Sequence, residues 1–165
     1  AIFIYSKNNN YKYLLHDLKY HGQKELGEYF GRLMANEIQS SGFFETVDYL
    51  LPIPLHRKKY KKRGYNQSEW LAKGISQITG IPIDTTSVIR VVNTSTQTKK
   101  NATERTENMK NVFQCIHPEK LATKHILIID DVFTTGATTV SCALTIQESA
   151  KTKISIFTMA RVQKA

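Results

Sequence analysis

Apolar positions recur at helical spacing through the first third of the chain. Leu26, Phe30, Leu33, Met34 and Ile38 fall on one stripe, residues 13–18 form a shorter stretch before Gly22, and Ser40-Ser41-Gly42 closes the region. The pattern then changes. Residues 47–51 are a short apolar run stopped by Pro52 and Pro54, which reads as a strand. Residues 56–63 read as a basic loop. Asn66 is placed to cap a helix with Glu69 three residues on, and Leu71, Ile75 and Ile78 give that helix its buried stripe before Gly80. Residues 88–92 and 112–116 read as strands, and the span between them is polar with almost no apolar anchor. Residues 126–129 are a continuous apolar run, as in a central parallel strand buried on both faces. A helix over 138–150 and a last strand over 154–160 complete the pattern.

Strands separated by helices predict an α/β fold, a mostly parallel sheet with right-handed crossovers. The chain of 165 residues fits a single domain, 1–165, with 1–45 as its helical N-terminal part. In such sheets ligands bind at the carboxyl ends of the strands, which selects the loops 52–66 and 130–138. Trp70, on a helix, reads as core. His16, His21, His56, His117 and His125 have no metal-like spacing and read as surface or packing residues, with His56 favoured as a loop contact.

Composition narrows the partners. The formal net charge is +9, from 23 basic and 14 acidic residues, which favours nucleotides, pyrophosphate, nucleic acid or an acidic membrane surface. No apolar run reaches the roughly 18 residues of a membrane span and no signal-peptide pattern is present, so a cytoplasmic protein without a membrane span is expected. Cys115 and Cys142 are too few for a disulfide framework or a thiolate zinc site and read as reduced, small apolar residues.

The candidate chemistry lies in Ile126-Leu127-Ile128-Ile129-Asp130-Asp131-Val132-Phe133-Thr134-Thr135-Gly136-Ala137-Thr138-Thr139. An apolar strand delivers two adjacent acids to its end, and a threonine-rich turn enters a helix. A helix N-terminus offers free N–H groups and a positive dipole end to a phosphate. Gly136 lets the backbone come close, the threonines add hydroxyl donors, and Asp130 and Asp131 suit vicinal ribose hydroxyls. A strand-turn-helix with capping threonines accounts for Thr138 but not for the two acids. A P-loop needs Gly-x-x-x-x-Gly-Lys-Ser/Thr, which the chain lacks.

This run resembles the motif of the type I phosphoribosyltransferases that binds 5-phosphoribosyl-1-pyrophosphate (PRPP). Members that salvage 6-oxopurines carry an acid where this chain has Thr134, so the run looks more like the orotate, adenine and glutamine-dependent branches. The resemblance extends to Lys19-Tyr20-His21-Gly22, to Pro52-Ile53-Pro54-Leu55 before Lys62-Arg63-Gly64-Tyr65-Asn66-Gln67, and to Thr96-Gln97-Thr98 followed by Arg105, Asn108 and Val112-Phe113. Together these resemble the ComF family, phosphoribosyltransferase-like proteins linked to natural competence for DNA uptake.

The resemblance implies a type I phosphoribosyltransferase fold with an N-terminal helical hood, binding PRPP with Mg²⁺. Thr134, Thr135, Gly136, Ala137 and Thr138 would hold the 5-phosphate, and Asp130 and Asp131 the ribose hydroxyls and the metal. Arg63, Gly64 and Asn66 would contact pyrophosphate, with Arg57 to Lys62 turned to solvent or nucleic acid. Tyr60 and Tyr65 read as packing residues that could also stack on bases. Lys99, Lys100 and Arg105, in a loop over 93–108 that closes on PRPP, would act on the departing pyrophosphate. The implied reaction is displacement of pyrophosphate at the anomeric carbon by a nitrogen nucleophile, and no residue announces itself as a general base. The alternative is a non-catalytic PRPP-sensing or DNA-handling module, with single-stranded DNA or the competence machinery as partner. Family members usually carry an N-terminal zinc module. This chain opens on Ala1 without paired cysteines, so either the module lies outside these residues or the chain is a short member. The acceptor and the oligomeric state stay open.

Overall fold

The computed structural model describes residues 3–5, 24–93 and 112–162. Four parallel strands form the main sheet in the order β1 (Phe3–Tyr5), β6 (Lys153–Val162), β5 (His125–Phe133), β2 (Tyr49–Pro52). Beyond β2 the chain adds one more parallel bridge, Leu50 to Ile83. β3 (Val88–Arg90) and β4 (Phe113–Cys115) form a separate antiparallel ribbon.

The apolar run predicted as a central strand is the middle of β5. Ile126, Leu127 and Ile128 are 0% exposed and Ile129 is 1% exposed. Their side chains alternate between two cores. Leu127 and Ile129 pack with Met34, Leu71 and Ile75 under α1 (Lys24–Gln39) and α3 (Gln67–Thr79). Ile126 and Ile128 pack with Phe113, Leu121, Cys142 and Ile146, under the ribbon, α4 (Pro118–Leu121) and α5 (Ala137–Ser149).

α1 and α3 touch backbone to backbone. A Cβ at Gly31 would strike the Leu71 carbonyl oxygen, and one at Gly74 the Glu28 carbonyl oxygen, so the crossing depends on having no side chain there. At its rim Glu28 accepts from Lys73 Nζ at 2.8 Å, Arg32 at 3.0 Å and Gln77 Nε2 at 2.9 Å. The Lys73 bond, foremost, draws the Glu28 carboxyl below its ordinary range.

The structure corrects several expectations. The helical reading of 1–45 contains no strand, yet Phe3–Tyr5 pairs with Ala160, Arg161 and Val162 of β6; three residues are too few to show a period. The basic loop is a helix, α2 (Arg57–Arg63). His56 starts it, its Nδ1 accepting from the Lys58 N–H at 3.2 Å, and Gly64 ends it at φ 84. Lysine and arginine are good helix formers, but α2 buries no residue and so leaves no apolar stripe to read. Leu33 is at the margin of its stripe and 36% exposed. Trp70 is half-buried outside both cores, between Lys24 Nζ at 5.0 Å and Lys73 Nζ at 4.3 Å from its ring centroid. Residues 13–18 lie outside the described residues. Among those described, no helix is long and apolar enough to cross a membrane.

Candidate functional site

β5 carries Asp130 and Asp131 to its carboxyl end, where both are buried, at 8% and 4% exposure. The Asp131 N–H donates to Asp130 Oδ1 at 2.9 Å, and the Ser68 hydroxyl lies 3.5 Å from the same oxygen.

Ser68 comes from the start of α3, which is tied to β5 through the Pro52–Pro54 segment. The Ile53 N–H donates to the Ile129 carbonyl at 2.9 Å, extending the β2–β5 pairing by one bond. Asn66, 1% exposed, then clamps the turn. Its Nδ2 donates to the Ile53 carbonyl at 3.0 Å and to Glu69 Oε1 at 3.2 Å, and its Oδ1 accepts from the Ser68 N–H at 3.1 Å. The expected cap is therefore present, with Glu69 meeting the Asn66 side chain instead of its backbone N–H. Asn66 was also expected to contact pyrophosphate, but its side chain is turned into these three bonds. Arg63 and Gly64 immediately precede this clamp, and the Arg63 guanidinium donates to Gln67 Oε1. Burial raises the pKa of Glu69, and the Asn66 bond opposes it only in part.

α5 begins differently. Gly136 has φ 78 and, as the N-cap residue, offers no side-chain bond; the Ala137 N–H reaches only the Thr135 hydroxyl, at 3.4 Å. A Cβ on Gly136 would lie 2.5 Å from the Phe133 ring, so both the backbone and the neighbouring ring require glycine. Thr134 and Thr135 are exposed, Ala137 and Thr138 half-buried, and Thr139 buried. An uncapped helix start beside an αL glycine is a ready place for an anion.

Arg90 escaped the sequence reading. It sits on β3 inside the apolar run 88–92, with its guanidinium carbon 5.4 Å from the Phe113 ring centroid. Burial lowers its pKa while the Asp130 charge raises it. The buried Cys142 thiol is pushed well above its ordinary value by burial, with the Asp130 charge adding to the effect. Cys115 and Cys142 are both free, as expected.

The remaining candidates divide. Tyr65, 7% exposed, packs, and burial pushes its hydroxyl pKa up; Tyr60 is 45% exposed. His125 is a packing residue, with Nδ1 2.9 Å from Thr46 Oγ1 and Nε2 2.9 Å from Ser155 Oγ. Lys99, Lys100 and Arg105 lie outside the described residues. Among the described residues there is no group of three or more His, Cys, Asp or Glu that could hold a metal. Mg²⁺ is commonly held by one or two carboxylates together with a substrate's phosphates, and Asp130 and Asp131 fit that donor set.

No family model matches the chain. DNA utilization protein YhgH of Salmonella typhimurium is 29% identical to it over 152 residues, 90% of this chain and 66% of that protein. Competence protein F of Haemophilus influenzae is 26% identical over the same span. Competence protein ComFC of Bacillus subtilis is 30% identical over 162 residues, 96% of this chain and 62% of that protein. The chain thus spans just under two thirds of the length of these relatives. Among solved structures, the glutamine PRPP amidotransferase of B. subtilis, complexed with ADP and GMP, matches 81% of this chain and 26% of its own, with TM-score 0.54 and 17% identity. A second, described as the allosteric regulatory enzyme of purine biosynthesis, has TM-score 0.50 and 16% identity, covering 84% of this chain and 25% of its own. These neighbours and the parallel sheet flanked by helices show the type I phosphoribosyltransferase fold.

Proposed function

This chain is a ComF-type homologue of competence and DNA-utilization proteins with a phosphoribosyltransferase fold, and from that premise we propose that it binds PRPP with Mg²⁺ at the carboxyl end of β5. The observation that carries the reading is the pairing of two buried carboxylates, Asp130 and Asp131, with a helix start that has an αL glycine and no side-chain cap. The turn 134–138 receives the 5-phosphate on backbone N–H groups and threonine hydroxyls. Asp130 and Asp131 accept from the ribose hydroxyls, and Arg63 with the Gly64 backbone meets the pyrophosphate. Mg²⁺, when bound, supplies charge neutralisation to the pyrophosphate, with Asp130 and Asp131 as its protein donors. Where an acceptor is present, the reaction is transfer of phosphoribose to a nitrogen nucleophile with release of pyrophosphate. In the cell the protein serves competence or DNA utilization, the roles its relatives are named for, as a cytoplasmic protein.

Calorimetry with PRPP and Mg²⁺ tests the pocket whether or not turnover occurs. PRPP should bind more tightly than ribose 5-phosphate, which lacks the pyrophosphate contacts. Absence of PRPP binding overturns the reading, and pyrophosphate release with candidate nucleobases separates an enzyme from a sensor.

A second reading is favoured by α2. Of its seven residues six are basic, and its Tyr60 is 45% exposed. Such a face fits the phosphates of single-stranded DNA, with Tyr60 available for stacking. Weak, sequence-independent binding that falls steeply with salt is expected. Binding that ignores salt, or that survives neutralisation of Lys58, Lys59, Lys61 and Lys62, removes this reading.

A further inference from the structure

The start of α3 is joined to the end of β5 by a closed course of hydrogen bonds. The Ile53 N–H donates to the carbonyl of Ile129, the residue before Asp130, at 2.9 Å. The Ile53 carbonyl accepts from Asn66 Nδ2 at 3.0 Å, and Asn66 Oδ1 accepts from the Ser68 N–H at 3.1 Å. The Ser68 hydroxyl then faces Asp130 Oδ1 at 3.5 Å. The course leaves β5 at Ile129 and returns to it one residue later.

Ser68 is 1% exposed, and a hydroxyl withdrawn from water is costly unless it finds an acceptor. Among the described residues this hydroxyl meets no acceptor other than Asp130 Oδ1. Asn66 already supplies the cap of α3, so an alanine would serve equally well at the second position of the helix. The hydroxyl is accounted for by the carboxylate. Their separation is longer than a formed O–H···O bond. Hydrogen bonds in functional sites are often long before the ligand arrives and shorten in the complex. Neither partner has far to move. The Asp131 N–H holds Asp130 Oδ1 at 2.9 Å, and Asn66 fixes the Ser68 backbone.

We propose that Ser68 is a positioning residue for Asp130: set in place by the Asn66 cap, its hydroxyl takes up Oδ1 together with the Asp131 N–H and fixes the direction in which the carboxylate meets the ribose hydroxyls of PRPP. The role in binding rests on the PRPP reading above, whereas the Ser68–Asp130 contact stands on geometry and involves no metal. It makes the ribose contact depend on the cap of α3, outside the strand-turn-helix motif.

The test is a double-mutant cycle on the full chain: parent, Ser68→Ala, Asp130→Ala and the double variant. Ribose 5-phosphate and inorganic phosphate are titrated by NMR in Mg²⁺-free buffer, so that no metal stands between carboxylate and sugar. Urea unfolding is followed for each variant without ligand. Ser68→Ala should weaken ribose 5-phosphate binding about tenfold, the low end for a hydrogen bond to a charged group. It should leave binding of inorganic phosphate, which carries no sugar, unchanged. The double variant should bind ribose 5-phosphate no worse than Asp130→Ala alone, because the hydroxyl acts through the carboxylate. Parent-like affinity for ribose 5-phosphate in Ser68→Ala, or losses that multiply in the double variant, overturns the proposal. An equal loss of phosphate binding makes Ser68 a packing residue of the whole site and also overturns it. If the parent binds neither ribose 5-phosphate nor, with Mg²⁺, PRPP, the PRPP reading falls by itself. The urea cycle then decides the contact: non-additive midpoints support it and additive midpoints refute it.

Discussion

Two helices begin beside the end of β5, and they begin in opposite ways. α3 is capped by Asn66, whose side chain is buried and makes three hydrogen bonds. α5 is preceded by Gly136 in the left-handed region, which offers no side-chain bond, and only the Thr135 hydroxyl, at 3.4 Å, meets its first N–H. A capped start satisfies its own backbone and holds neighbouring segments in place. An uncapped one keeps first-turn N–H groups for another acceptor. The contrast suits α3 to locating Ser68 and the preceding Arg63–Gly64 corner, and it is the reason the start of α5 is the proposed anion site.

The largest effect expected from breaking this contrast is at Asn66. Asn66→Ala removes the α3 cap, about 1 kcal/mol, and leaves the Ile53 carbonyl without its buried donor, about 1–3 kcal/mol more. Urea unfolding should show a loss of roughly 2–4 kcal/mol, and Asn66→Asp, which keeps the cap oxygen, should lose less. A parent-like midpoint in Asn66→Ala would mean that α3 is not held by its cap. Gly136→Ala should cost roughly 1–3 kcal/mol, because a non-glycine residue is strained in that backbone region and Phe133 must move. It should also weaken PRPP binding about tenfold as the turn shifts. Normal affinity in Gly136→Ala would separate the phosphate from the start of α5. Asp131→Ala should weaken PRPP binding by roughly 1–3 kcal/mol, the range for a hydrogen bond to a charged group. Equal affinity in Asp130→Ala, Asp131→Ala and the parent would end the ribose assignment.

How much of this could be read in the sequence follows from what leaves a pattern. β5 and its turn were legible because a continuous apolar run, paired acids and a glycine-containing turn are local features. The Asn66 cap was legible for the same reason. α2 was not, because a helix with no buried residue has no apolar period. Trp70 was misplaced because its neighbour Lys24 comes from another helix. Arg90 was passed over because a charged residue within a short strand reads as a solvent-facing position. Only the pairing of β3 with β4 lays it over the Phe113 ring.

The smallest effect, and the most direct check on the α3 start, comes from two carboxyls shifted in opposite directions. Burial would raise Asp84, but bonds from the Ser87 and Thr86 hydroxyls and N–H groups outweigh it and hold the carboxyl below its ordinary 3.8. For Glu69 burial wins over the single Asn66 bond and raises it above 4.5. The linkage signs therefore differ. Asp84 stabilises the fold above about 3.8, and that contribution is lost as pH falls through its lower folded value. Glu69 holds its proton more tightly in the fold than in the unfolded chain. Stability is therefore lost as pH rises from about 4.5 through the raised folded value. Glu69→Gln keeps an acceptor for Asn66 and removes the ionisation, so its urea midpoint should exceed the parent's at neutral pH and converge with it in acid. Asp84→Asn should lie below the parent at neutral pH, with the gap closing only in stronger acid. A Glu69→Gln difference that stays constant across the range would remove burial as the cause and leave Glu69 only its bond to the cap.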